Sequence, residues 1–254
     1  MKYAIKSKNR CSKLKGMTYK LLKSFDVEDE DIFIFIPALD YDGYNYEYPK
    51  CKCIIAPDGI VNTDNFIVNY FDDKEKYIYM NDDVSNIFML DENNKKKALD
   101  KSDFLFLIKK LFSELEVNNL SYGGLYSCDN AMFMSGQKEM TNDLCFVTDP
   151  FSAVINNKEI ILNKETNTND NFKSDYEKSI LHFRSKGGLV RLNHYCIKVV
   201  RNEKTSILNR NKETEIQQGE WMKWMYPNEI SSIKHKPNGS TALRLRKIKC
   251  KYDM

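Results

Sequence analysis

Apolar residues recur along this chain at two spacings, and the alternation between them predicts the architecture. Residues 2–7, KYAIKS, read as a short strand, and 32–37, IFIFIP, as a buried strand ended by Pro37. Between them LKGMTYKLLKSF places Leu14, Met17, Leu21 and Leu22 at helical spacing. KCKCIIAP at 50–57 and IYM at 78–80 are further strands. KSDFLFLIKKLFSELEV is an amphipathic helix with Ser102 or Asp103 as its cap. The order β-α-β-(β)-α-β predicts an α/β fold with a largely parallel N-terminal sheet.

The second half is less regular. SYGGLYS reads as a turn-rich loop, and AMFMSG, LCFVTD and AVINNKEIIL read as strands. KSDYEKSILHFRSKGG predicts a helix closed by Gly187 and Gly188. LVRLNHYCIKVV is a long strand, and KETEIQQGEWMKWMYP a helix that stops at Pro227. TALRLRKIKCK alternates apolar and basic residues, as a strand with one positive face does. ETNTNDN at 165–171 is polar and of low complexity, the composition of a mobile loop.

Composition narrows the function classes. With 254 residues, 42% hydrophobic and 30% charged, the chain can bury a sizeable core as one domain or two. It has no run of about 18 apolar residues, and the N-terminus lacks an apolar h-region, so neither a membrane span nor a signal peptide is expected. Seven scattered cysteines without a C-x-x-C pair, and only three histidines, argue against a structural zinc site. Reduced thiols in a cytoplasm are the expectation. Net charge is +3, yet residues 1–23 carry eight Lys or Arg and no acid, and 234–251 carry seven more beside His235. Such ends suit either a positive face for a polyanion or a solvated surface.

No P-loop, G-x-G-x-x-G, G-x-S-x-G or H-E-x-x-H motif is present, so those chemistries have no support. What remains is acidic. Asn81, Asp82 and Asp83 end the strand YIYM, where ligands of open α/β sheets bind, though Asn and Asp are also ordinary turn residues. Asp175 and Glu177 stand at a helix start, a place that favours carboxylates without any function. His194 in RLNHY is a candidate ligand or a half-buried strand residue. Two carboxylate pairs and one imidazole fit a site for Mg²⁺ or Mn²⁺ with a diphosphate and a separate base.

The order of motifs then becomes recognisable. YAIKSKNR, a helix, IFIFI and YIYMNDD resemble the opening of a GT-A glycosyltransferase. GGLYSCDNAMFMSG, NDLCFVTDPFSAVIN and SDYEKSILHFRSKGGLVRLNHY resemble the glycosyltransferases associated with TET/JBP dioxygenases, a group that includes the base J glucosyltransferase of kinetoplastids and many phage members. The resemblance runs over roughly residues 3–230. It implies a GT-A-like single domain, with a mostly parallel Rossmann-like N-terminal sheet and a mixed C-terminal part. Residues 1–118 would form the nucleotide-binding half and 119–254 the acceptor half.

Residue by residue, the resemblance gives Asp82 and Asp83 to a divalent metal and the sugar nucleotide. Asn81 stands where the first Asp of D-D-D would be, a departure that bears on the ribose or metal contact. Asp175, then Glu177, match the segment supplying the catalytic base, and His194 matches a C-terminal histidine on the metal. Lys6, Ser7, Asn9 and Arg10 match the loop that grips the nucleotide; Asn130 and Phe133 match a motif lining the donor or acceptor pocket. The implied cofactors are Mn²⁺ or Mg²⁺ and a nucleotide-sugar donor, UDP-linked. The implied partner is duplex DNA carrying a hydroxymethylpyrimidine; a protein or polysaccharide hydroxyl, or non-catalytic nucleic-acid binding, is the alternative. Trp221, Trp224 and Tyr226 suit either stacking on a displaced base or helix packing.

Overall fold

A computed structural model of the chain describes residues 1–251 apart from Asn169, 201–210 and 237–238. The strands are β1 (Lys2–Lys6), β2 (Ile32–Ile36), β3 (Lys52–Ile55), β4 (Lys76–Asn81), β5 (Val84–Leu90), β6 (Lys96–Ala98), β7 (Tyr122–Tyr126), β8 (Met140–Thr141), β9 (Phe151–Ile155), β10 (Val190–Val199), β11 (Ile230–His235) and β12 (Thr241–Leu245). The helices are α1 (Cys11–Leu14), α2 (Lys20–Ser24), α3 (Tyr41–Glu47), α4 (Ile60–Tyr70), α5 (Lys101–Val117), α6 (Ala131–Ser135), α7 (Ser174–Lys186) and α8 (Lys212–Met225). A π-helical turn, Lys15–Tyr19, joins α1 to α2.

One sheet runs β3-β2-β1-β4-β9-β7-β10-β5-β6, with β8 beside β10. Its first four strands are parallel, β9 is antiparallel to both β4 and β7, and β10 is parallel to β7. The carboxyl ends of β1, β4, β7 and β10 therefore share one rim. Side chains alternate across the sheet with the period of two that a strand imposes. Tyr3, Ile5, Ile34 and Met80 pack with Leu22, Phe104 and Leu111 on one face; Ala4, Phe35, Tyr77 and Tyr79 pack with Ile67, Ile180 and Met222 on the other. Helices cover both faces, which is why IFIFI is apolar at every position.

Several local readings change. SYGGLYS is a strand, because Gly123 and Gly124 allow close approach: a Cβ at these positions would meet the Val190 carbonyl at 2.9 Å and Val147 Cγ1 at 2.5 Å. AMFMSG is a short helix, begun by the Asn130 side chain accepting from the Met132 amide at 3.0 Å. LCFVTD forms no strand, and β12 ends at Leu245, before the basic alternation does. The cap of α5 is Asp100, whose carboxylate accepts from Asp103 N at 2.9 Å in a capping box. The polar stretch 165–171 is tied down. Glu165 is buried and accepts from the Asn167 and Thr168 amides, and Asp170 accepts from Ile60 N and Val61 N at the start of α4. Asn169 of that stretch lies outside the described residues.

All seven cysteines are unpaired. Among the described residues, no helix is long and apolar enough to cross a membrane.

Candidate functional site

The strand order places a topological switch between β1 and β4, and such a switch opens a crevice outside the carboxyl ends. Lys6 and Asn81 are the last paired residues there. Beyond them, Ser7 Oγ donates to Asp82 Oδ2 at 2.6 Å, and Arg10 Nη1 lies 3.3 Å from Asp82 Oδ1. Lys13 Nζ lies 3.6 Å from Asp83 Oδ2. Tyr44 OH receives the Arg10 amide at 3.0 Å and meets Ser7 Oγ at 2.6 Å. Thr18, in the π turn, pins the acidic turn from below: its hydroxyl donates to Asn81 O at 2.7 Å and accepts from Val84 N at 3.0 Å. Both aspartates are buried, and burial with the neighbouring Asp82 charge pushes the Asp83 carboxyl up from its ordinary value.

A cleft of about 740 Å³ opens beside this turn, lined among others by Asn9, Arg10, Lys13, Asp40, Tyr44 and Val200. Asn9 holds a left-handed backbone (φ 53°) and its amide donates to Asp40 Oδ2 at 2.7 Å. One wall is therefore cationic and polar, as a phosphorylated ligand requires.

On the opposite face of the same rim sits a second charge cluster. Lys6 Nζ contacts Asp64 at 3.0 Å and Asp149 at 3.6 Å, while Lys178 Nζ contacts both carboxylates at 3.0 Å. The Tyr79 hydroxyl donates to Asp64 Oδ1 at 2.6 Å. Burial alone would raise the Asp64 carboxyl, but Lys178 and Lys6, with Tyr79, hold it below the ordinary range. Among the described residues Asp175 makes no such ion pair, and Lys173 and Lys178 act on it only from farther away. Burial and the adjacent Asp149 charge push it up to about 7. The clusters meet where Asn81 N reaches Pro150 O at 3.4 Å, next to Asp149.

The other expected site residues fall elsewhere. Glu177 is fully buried and its carboxylate is saturated, receiving the Asn163 amide and side chain, Asn171 Nδ2 and the Tyr226 hydroxyl. It holds α7 to α8 and has no free lone pair for a substrate proton. Two residues along α7 from Asp175, it points another way. His194 is not brought to Asp83. The residue whose amide meets the Asp83 carbonyl is Val200, and with Tyr195–Val199 paired along β5, His194 lies roughly 20 Å back along the strand. Its Nε2 sits 3.2 Å from the Gln137 carbonyl. Asn130 caps α6 just past the carboxyl end of β7, and Phe133 is half exposed on that helix.

A divalent ion at Asp82 and Asp83 is a poor fit to this donor set. One or two carboxylates plus phosphate oxygens suffice for Mg²⁺, so ligand number does not decide the matter. Pairing does. Both oxygens of Asp82 are engaged by Ser7 and Arg10, and Asp83 already faces Lys13. The remaining oxygens, Asp83 Oδ1 and Asn81 Oδ1, are buried without a partner among the described residues. Among the described residues, no group of three or more His, Cys, Asp or Glu side chains could hold a metal ion.

Solved structures share the fold. Glucosyl-3-phosphoglycerate synthase from Mycobacterium tuberculosis, in complex with phosphoglyceric acid, superposes with a TM-score of 0.53 over 99% of this chain and 90% of that one, at 6% identity. The fold is that of the GT-A glycosyltransferases. Two further matches are more distant. The same synthase with Mn²⁺ and uridine-diphosphate-glucose gives 0.47 over 98% and 86% at 6% identity, and Staphylococcus aureus TarS 1–349 gives 0.46 over 90% and 72% at 8%. No family model and no curated protein matches the chain.

Within this GT-A frame, four residues unmarked by the sequence reading carry the electrostatics: Lys13, Asp64, Asp149 and Lys178. Asp64 had a readable signal, a lone carboxylate three residues from both Val61 and Ile67 on the buried side of α4. Asp149 had none, because its meaning depends on β9 turning the chain back beside β4.

Proposed function

We propose that the chain is a glycosyltransferase that moves a sugar from a nucleoside-diphosphate donor, UDP-linked, to an acceptor hydroxyl. The observation that carries this reading is the rim itself: a cationic cleft at the β1–β4 switch and, on the other face of the same rim, a carboxyl pushed up to about 7. In the reaction the acceptor oxygen attacks the anomeric carbon, and the bond from that carbon to the diphosphate breaks. Asp175 takes the acceptor proton, a task for which a pKa near the working pH is favourable. Arg10 and Lys13 face the charge that develops on the departing diphosphate. Ser7 and Tyr44 hold Arg10 and Asp82 in place, and Asn9 orders the loop that closes on the nucleotide. Asn130 and Phe133 border the acceptor side.

The acceptor we propose is a hydroxymethylated pyrimidine in duplex DNA, and the surface charge refines which part of the chain would meet it. Seven of the eight N-terminal cations are spent on acids of the middle segment: Lys2–Glu75, Lys6–Asp64, Lys8–Asp58, Arg10–Asp82, Lys13–Asp83, Lys15–Glu47 and Lys23–Asp29. That end offers a polyanion little. The hairpin β11–β12 and its continuation present exposed Lys234, Lys236, Arg244, Arg246 and Lys247. Of the aromatic residues on α8 and at its end, Trp224 is 74% exposed and available for stacking, whereas Tyr226 is buried on Glu177.

The test is transfer of labelled sugar from a panel of nucleotide sugars to duplex DNA with and without hydroxymethylpyrimidine, using the parent chain and Asp175→Asn. Label on the modified duplex alone, lost in the variant, is the expected result. Donor turnover without labelled DNA would sink the DNA acceptor and leave the transferase. No turnover of any donor would sink both.

A further inference from the structure

We propose that Arg10 and Lys13 are this chain's built-in counter-charge for a diphosphate, so that nucleotide binding here needs no divalent ion. The inference rests on the donor-site reading above and departs from the metal use that the resemblance implies.

The charge count at the turn carries the argument. Asp82 and Asp83 supply two negative charges, and Arg10 at 3.3 Å and Lys13 at 3.6 Å supply two positive ones. Among the described residues these four charges therefore balance before any ligand arrives. A dication entering it would lie within a few ångströms of both protein cations. It would also find both Asp82 oxygens already bonded, and at Asn81 a neutral amide where a third carboxylate could have stood.

Lys13 is placed to do the ion's work. It stands in the first helix after β1, and its side chain is 16% exposed on the wall of the cleft. Among the described residues its ammonium makes no hydrogen bond and lies 3.6 Å from Asp83 as an ion pair. Three N–H donors on a flexible stem can turn towards phosphate oxygens without breaking a hydrogen bond. Arg10 adds a planar donor set with its backbone fixed by Tyr44. A diphosphate in the cleft would draw both cations from the aspartates, and Ser7 would keep its bond to Asp82.

The experiment measures the UDP-induced rise in melting temperature of the full chain in EDTA, in Mg²⁺ and in Mn²⁺. The expected result is a rise in EDTA that matches the rise with either metal, with apparent Kd values agreeing within about twofold. Lys13→Met is expected to weaken UDP in EDTA by about tenfold or more, and to regain part of that with Mn²⁺, because Asp83 is then unclaimed. Lys13→Arg keeps a cation and is expected to keep the EDTA response. Lys15→Met, which removes an exposed partner of Glu47, serves as control. A wild-type rise that needs Mg²⁺ or Mn²⁺ would overturn the inference while the donor site stands. No rise in any condition would overturn the donor site and this inference with it. The wild-type comparison decides between these outcomes even if Lys13→Met does not fold.

Discussion

Asp149 Oδ1 and Lys178 Nζ lie 3.0 Å apart, and this pair fixes α7 against the loop that enters β9. It also sets the environment of Asp175, one turn earlier on the helix. Lys178 is held by Asp64 and Asp149 and stacks over the Tyr79 ring at 4.1 Å, so its charge offsets the burial of Asp175 only in part. The Asp149 charge is what Asp175 feels after burial itself.

With Asp175 as the proposed base, the transfer reaction should follow its titration. With the carboxyl pushed up to about 7, turnover should fall about tenfold per unit of pH below that value and level off above it. Asp175→Asn should remove this limb and lower kcat by about 10²–10⁴. Stability should move the other way. A carboxyl raised on folding stabilises the folded state below its ordinary pKa, and that contribution is lost as pH rises through about 7. The asparagine variant, uncharged throughout, should melt above the parent at about pH 8 and close to it at about pH 4. Melting curves at the two pH values check the sign.

Glu177 should behave in the opposite manner. Its carboxylate ties Asn163, Asn171 and Tyr226 together inside the helix layer. Glu177→Gln turns one acceptor into a donor facing donors, which should cost about 1–3 kcal/mol, or about 2–4 °C per kcal/mol in melting temperature. Turnover per folded molecule should be unchanged. A large loss of kcat with normal melting would return Glu177 to the chemistry.

Removing Lys178 leaves Asp64 and Asp149 to share Lys6. Lys178→Met should destabilise by about 3–5 kcal/mol, the cost of an uncompensated buried charge. Adding Asp149→Asn should recover part of it, a coupling of about 0.5–3 kcal/mol. Denaturant unfolding of the two single variants and the double variant measures the coupling. Additive losses would show that the quartet does not act as a unit.

Binding to DNA should depend on the C-terminal hairpin. Arg244→Glu with Lys247→Glu should weaken duplex binding and reduce the slope of log K against log salt by about 0.9 for each phosphate that is no longer neutralised. The response to UDP should be unaltered, since neither residue lines the cleft. An unchanged salt slope would move the DNA surface elsewhere.

Much of the fold was legible because strands and long helices announce themselves by period. IFIFI, the Lys101–Val117 helix and the long β10 strand are of this kind. Errors came where one residue type serves two purposes. Gly123 and Gly124 read as a turn, yet they are small because two strands and Val147 press on them. In 165–171 polar residues read as a mobile loop, yet they cap α4 and hold Glu177. At the site, Asp82 and Asp175 were marked because they sit at element ends, and Ser7 and Arg10 through the resemblance of their loop. Asp149 and Lys178 matter only through contacts made by distant segments, which no spacing encodes. The basic N-terminus misled for the same reason: its acids arrive from residues 29–83 only on folding.

The most direct test of the central claim is a calorimetric titration of UDP into the wild-type chain and into Arg10→Ala. The expected result is saturable binding at one site in the wild type, weakened by about tenfold or more in the variant, the scale of a charge-assisted contact to a phosphate. Equal affinity in both would place the nucleotide away from the β1–β4 rim. No binding to the wild type would contradict the donor site altogether.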